Sequence, residues 1–261
     1  MIGPKNTRKW EYQFKEYNSL LKKARKGEAK LRFNRSFIQV SDIALQFFCE
    51  KKIEMMYLHG DIETESKILG TEGHKRLLQD STKIKMRSLW KEIYGEKPVL
   101  ALEMLLLAKY QDVIFVGRPD SVLFITGVPK IIFEYKFTKG ESPFRTHHVQ
   151  AQTYGILLRN MGFDTEKLLY AIVLTDPKAK DDKELGTRVY EATIKNGIEG
   201  AVLSVKNARI YVNKFDASKA ERDLGWALKF WKNRRKASQT VNSNKCNSCE
   251  YTTLCEMNRR K

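Results

Sequence analysis

Apolar positions recur along this chain with two different periods, and the switch between them divides it. Trp10 to about Arg25 predicts a helix in which Trp10, Tyr12, Phe14 and Tyr17 interleave with basic residues. From Ser41, where Ser41 or Asp42 can cap, Ile43, Leu45, Phe47, Phe48, Ile53, Met56 and Leu58 offer the apolar face of a second helix with Cys49 inside it. A further helix is expected over Ile68 to about Tyr94 and carries His74. After Gly95 and Pro98 the texture turns to strands. Val99 to Tyr110, Val113 to Gly117, Ser121 to Ile125 and Lys130 to Phe137 predict a meander, with Gly127, Val128 and Pro129 as its last turn. His147 to Asn160 then reads as helix, Leu168 to Leu174 as a buried strand, Asp176 to Gly186 as a charged loop, and Arg188 to Ile194 and Ala208 to Val212 as short strands. Asp216 to Arg235 predicts a helix with Leu224, Ala227, Leu228 and Trp231 on one face, and a polar linker, Lys236 to Asn244, leads to the last cysteines.

Helices, then a central sheet, then a helix returning to the sheet predict a mixed α/β core. At 261 residues the chain can bury a substantial core without covalent help. Three segments are expected: a basic N-terminal extension at 1–40, the core at 41–235, and a C-terminal cysteine module at 236–261 that closes onto Cys49.

Charge adds a partner class. Lysine and arginine outnumber acids 48 to 31, a net +17, which draws a protein toward polyanions such as nucleic acid or an anionic membrane; a merely Lys-rich surface would give the same number. Residues 1 to 35 hold eleven Lys or Arg against three Glu, so this segment reads as a basic arm, a docking element, or a surface helix packed by its aromatics. No apolar run of about 18 residues could span a bilayer and no signal peptide precedes the first helix, so a cytoplasmic location without a membrane partner is expected.

The most informative stretch is Gly117-Arg118-Pro119-Asp120, followed fourteen residues after the aspartate by Glu134-Tyr135-Lys136. It sets one acid at a strand end, and an acid and a lysine on one face of a neighbouring strand, because residues two apart share a face. Converging carboxylates make an oxygen-rich site for a hard cation such as Mg or Mn, which can polarise a phosphodiester. Lys136 would then position the attacking water or stabilise the transition state. A surface Asp and an ordinary Glu-Lys pair are the bland alternative, but Ile131, Ile132, Phe133 and Phe137 make the strand apolar enough to be buried, where an unpaired acid is costly. Glu103 is a further candidate acid on the preceding strand.

This order of residues resembles the RecB-like branch of the PD-(D/E)XK nucleases. Gly70 to His74 resembles that branch's G-x-x-x-H motif, and Gln150 to Tyr154 its Q-x-x-x-Y motif, whose i and i+4 side chains share a face directed toward DNA and the active site. The resemblance implies a restriction-endonuclease-like core, with Asp120 and Glu134 as metal carboxylates, His74 as an additional ligand and the Tyr135 carbonyl as a further one. It makes Lys136, Gln150 and Tyr154 active-site residues. A histidine ligand would favour Mn more than oxygens alone would.

Cys246, Cys249 and Cys255, spaced C-x2-C-x5-C, together with Cys49 are all the cysteines of the chain. Four thiolates suit a structural zinc or an iron-sulfur cluster, and spacing leaves the two level. The resemblance tips the choice toward a 4Fe-4S cluster, since this pattern is similar to the iron-sulfur RecB-like nucleases, notably the CRISPR-associated Cas-four family and the nuclease domains of AddB and of the eukaryotic Okazaki-processing helicase-nuclease. It implies a DNA exonuclease acting 5′ to 3′ on single-stranded or frayed ends, processing DNA for CRISPR spacer acquisition, with an integrase or helicase as partner. A RecB-like repair nuclease outside CRISPR, a non-catalytic DNA-binding assembly subunit, or an RNA-directed nuclease would carry much of the same pattern. No G-x-x-x-x-G-K-[ST] phosphate loop is present, so no Walker-type ATPase is expected in this chain.

Overall fold

The computed structural model describes residues 4–27, 30–64 and 86–255. Its centre is a six-stranded mixed sheet built from β2 (Val99–Leu102), β5 (Ser121–Ile125), β6 (Val128–Phe137), β7 (Leu169–Thr175), β8 (Val202–Val205) and β9 (Ala208–Lys214), in the spatial order β2-β5-β6-β7-β9-β8. β6 and β7 run parallel, and every other pair in this sheet is antiparallel. A parallel pair needs a crossover. Here it is helix α5 (Arg145–Asn160), numbered in chain order among the described residues.

The pleat sorts the β6 side chains between two layers. Phe133 and Tyr135 join Ala171, Val173, Ile210 and Val212 in a core closed by Leu185 and Val189 of helix α6 (Leu185–Asn196). Ile132 faces the other way, into the larger core under α5 with Ile172, Leu174, Ile156 and Leu157. Glu134 and Lys136 share the Ile132 face and therefore lie under α5. That helix can approach helix α7 (Ala217–Trp231) and its leading segment closely because residue 155 is glycine: a Cβ there would sit 2.4 Å from the Phe215 ring.

A second sheet of three strands, β1 (Phe37–Gln39), β4 (Val113–Gly117) and β3 (Leu106–Tyr110), lies beside the first. Helix α1 (Pro4–Lys26) covers it, burying Trp10, Tyr17 and Ala24 in the main core with Trp90 of helix α4 (Met86–Ile93) and Phe163. Gln13 fixes the docking: its Nε2 donates to the Gly162 carbonyl at 2.7 Å and its Oε1 accepts from the Tyr94 hydroxyl. The segment set apart in the sequence as an N-terminal extension thus packs through its aromatics.

Helices α2 (Val40–Gln46) and α3 (Glu50–His59) meet at an elbow held by buried polar groups. Glu50, 1% exposed, receives both terminal nitrogens of Arg235, the Gln46 amide and the backbone N–H of Ser238. Gln46 in turn accepts from the Trp231 indole at 2.9 Å. The Arg235 guanidinium lies 4.4 Å over the ring of Trp226, whose other neighbour is Phe47 at 5.0 Å. The elbow is thereby fixed to the end of α7, where the C-terminal segment begins.

Three local expectations fail here. The long helix from Ser41 breaks at Phe47 to Cys49, and Cys49 caps α3 instead of lying within a helix. Val99 to Tyr110 is two strands in two sheets, separated at Glu103 with φ of 43°, so the four strands do not form one meander. Arg188 to Ile194 lies inside α6, where Leu185, Val189 and Thr193 are buried four residues apart; burial at that period prevails over β-branched composition. Strand β8, unforeseen, forms the sheet edge.

Replacing Arg235 with alanine is expected to cost about 3 kcal/mol, because it strands a buried carboxylate. Urea unfolding should show a lowered midpoint for Arg235→Ala, and an unchanged midpoint would deny the pair this role.

Candidate active site

Two strand ends assemble the acids. Ser121 pairs with Phe133 in the antiparallel β5-β6 ladder, so one residue further the register sets Asp120 against Glu134. The Asp120 carboxylate accepts the Tyr135 backbone N–H at 2.7 Å, and its own carbonyl accepts from Glu103 N at 3.0 Å. Glu134 is 3% exposed. Its Oε1 accepts from the Lys136 ammonium at 2.8 Å, and that ammonium donates a second time, to Gln150 Oε1 at 3.0 Å. Burial works to depress the Lys136 pKa, but the Glu134 and Asp120 carboxylates outweigh it and leave it raised. Lys136 is therefore a fixed cation, suited to balancing charge and unsuited to removing protons.

Helix α5 supplies the wall facing these strands. His147, Gln150 and Tyr154 fall three and four residues apart and so share one helix face. The Gln150 amide donates to the Tyr154 hydroxyl at 3.1 Å, which donates to the Arg118 carbonyl at 3.0 Å. Tyr154 is buried, and burial together with Glu134 holds its phenol protonated far above the ordinary range. Gly117 makes room for this ring: a Cβ there would lie 2.6 Å from both Tyr154 and Val40. The Q-x-x-x-Y pair therefore braces the site from behind, running from Lys136 to the loop that bears Asp120.

Glu103 sits in the bend after β2 and meets the site through its backbone, its carbonyl accepting from Arg118 Nη1 at 3.1 Å while its side chain is exposed. The Tyr135 side chain points into the opposite core, leaving only its backbone on the acidic side. His74 lies outside the described residues. His147 is the residue that reading the sequence missed, although its place three residues before Gln150 was the available signal. Its Nδ1 accepts the Phe144 backbone N–H at 3.3 Å, and burial and the Lys136 charge lower its pKa to about 3.

The cysteines lie elsewhere. Cys49, Cys246, Cys249 and Cys255 are half-buried, form no disulfide, and line one cavity of about 380 Å³ with Lys51, Lys52 and Lys245. Cys249 is pushed up in pKa by burial, with Cys49 among the neighbours that add to it. Four contacts dock this segment on the elbow and α3: Lys245 Nζ donates to the Phe47 and Phe48 carbonyls, Lys52 pairs with Glu250 at 2.6 Å, and the buried Tyr251 donates to the Gly60 carbonyl at 2.7 Å. Among the described residues, no three His, Cys, Asp or Glu side chains are gathered into a group that could hold a metal ion. None of the described helices is long and apolar enough to cross a membrane.

No curated protein matches the sequence. Among solved structures, the crystal structure of SSO0001 is similar over 98% of this chain and 98% of that one, with 14% identity and a TM-score of 0.47. The model of the PD-(D/E)XK nuclease superfamily matches residues 52–256, a span that includes Asp120, Glu134, Lys136, Gln150 and Tyr154, and the chain belongs to that superfamily of metal-dependent nucleases.

Proposed function

We propose that the chain is a DNA exonuclease acting on single-stranded or frayed ends, with Asp120, Glu134 and Lys136 as its catalytic centre. The observation that carries this reading is the register that sets Asp120 against Glu134 with Lys136 bonded between Glu134 and Gln150. The donor set fits a hard cation. Two carboxylates and the Tyr135 carbonyl would hold Mg or Mn, and the resemblance adds His74 as a further ligand. When bound, the ion polarises the phosphodiester and lowers the pKa of the attacking water. The Lys136 ammonium offsets negative charge growing on the phosphate oxygens, and Gln150 holds that ammonium in place. Net charge of +17 supports a polyanionic substrate.

The cysteine site belongs to the same proposal. Four thiols from two distant segments line one cavity, and the three lysines lining it would offset an anionic group. The choice of a 4Fe-4S cluster over zinc rests on the resemblance of the cysteine spacing, and the cluster would act as a staple between the elbow and the C-terminal segment. A 5′ to 3′ polarity, trimming of DNA before integration into a CRISPR array, and an integrase or helicase partner rest on the resemblance of the motif order and cysteine spacing.

With labelled single-stranded DNA and Mn, wild-type cleavage is expected to fall by about 100-fold or more in Asp120→Ala and Lys136→Ala and to vanish on chelation. Metal-dependent cleavage undiminished by both substitutions would refute the assignment, and tight binding without cleavage would favour an assembly subunit. Protein purified anaerobically should be brown, absorb near about 400 nm, and lose that colour in Cys249→Ala. Stoichiometric zinc without iron or sulfide would replace the cluster by zinc.

A further inference from the structure

One titratable group on the wall of the site has no part in the mechanism above. His147 occupies the third position of α5 and shares its face with Gln150, whose side chain touches the Lys136 ammonium. The ring's Nδ1 is engaged as acceptor by the Phe144 backbone N–H. A neutral imidazole with Nδ1 accepting carries its proton on Nε2, so the ring retains one donor. Neutrality follows from Nδ1 accepting an N–H, and burial and then the Lys136 charge push the same way. Phe144 stands edge-on to His147 at 5.4 Å and is itself exposed, and the His147 ring is half-buried.

We propose that His147 is a further catalytic residue: its Nε2–H donates a hydrogen bond to a nonbridging oxygen of the scissile phosphate, beside the Lys136 ammonium. The proposal rests on the nuclease assignment of Asp120, Glu134 and Lys136. Its role is electrostatic, a fixed donor aimed where charge grows as water attacks phosphorus and the bridging oxygen departs. Being neutral, the imidazole adds a donor without disturbing the Glu134-Lys136 pair.

The competing role is local. A side chain at this position that accepts the N-cap N–H stabilises the helix start, and Glu or Gln does so well. Full-length His147→Ala, His147→Gln and His147→Glu separate the two roles, because Gln and Glu both complete the cap and only Gln keeps a donor. With labelled single-stranded DNA, Ala and Glu are expected to lower kcat by about 100-fold while Gln restores most of it, with melting temperatures of Gln and Glu matching wild type. A single phosphorothioate diastereomer at the scissile linkage, a poorer acceptor, should slow wild type and slow His147→Ala much less. Wild-type kcat in His147→Ala, or recovery by Gln and Glu alike, would overturn the proposal. Asp120→Ala and Lys136→Ala run alongside: if they abolish cleavage while His147→Ala does not, His147 alone is misassigned, and if they cleave normally the whole site is.

Discussion

The molecule depends on one polar chain threaded through an apolar frame, from Glu134 to Lys136, Gln150, Tyr154 and the Arg118 carbonyl. Withdrawing charges from water costs several kcal/mol per ion, and a buried pair returns that only when its remaining donors and acceptors are satisfied. Here the Lys136 ammonium is bonded on both sides, and each link along the chain is bonded to the next. The chain also joins three elements: the central strand β6, its crossover helix α5, and the turn that carries Asp120. Loss of Gln150 would therefore leave the ammonium held by Glu134 alone, and loss of Tyr154 would loosen the turn, although neither residue need touch substrate.

This explains why the acids stand on β6 and its neighbour. A strand at the middle of a sheet is fixed by ladders on both edges, and Glu134 is further fixed by the core under α5. Asp120 gains equivalent definition at a strand end through the Tyr135 N–H and the Glu103 N–H. Rigid placement of this kind suits electrostatic catalysis, where donors and charges already stand in position when the reaction begins.

Much of this could be read in the sequence because it rests on local rules. The spacing of Asp120, Glu134 and Lys136 follows from strand alternation, and that of Gln150 and Tyr154 from helix periodicity. The readings that failed turned on tertiary context. Val189, Thr193 and Ile194 have strand composition, yet the buried stripe from Leu185 to Thr193 holds them in a helix. Nothing local marks the break at Phe47 to Cys49; the buried Glu50 and its partner Arg235, 185 residues away, hold the elbow there. His147 was passed over because a lone histidine at a helix start carries no chemistry until its neighbour across space, Lys136, is known.

The two sites look separate, one made of oxygens and the other of sulfurs, but helix α2 connects them. Val40 at its start presses on Gly117, against the same glycine that admits Tyr154, and its end runs directly into Phe47 and Cys49. Seven residues of helix span only about 10 Å and bend little over that length. The elbow that Glu50 and Arg235 hold is therefore tied through α2 to the strand end from which the Asp120 turn departs.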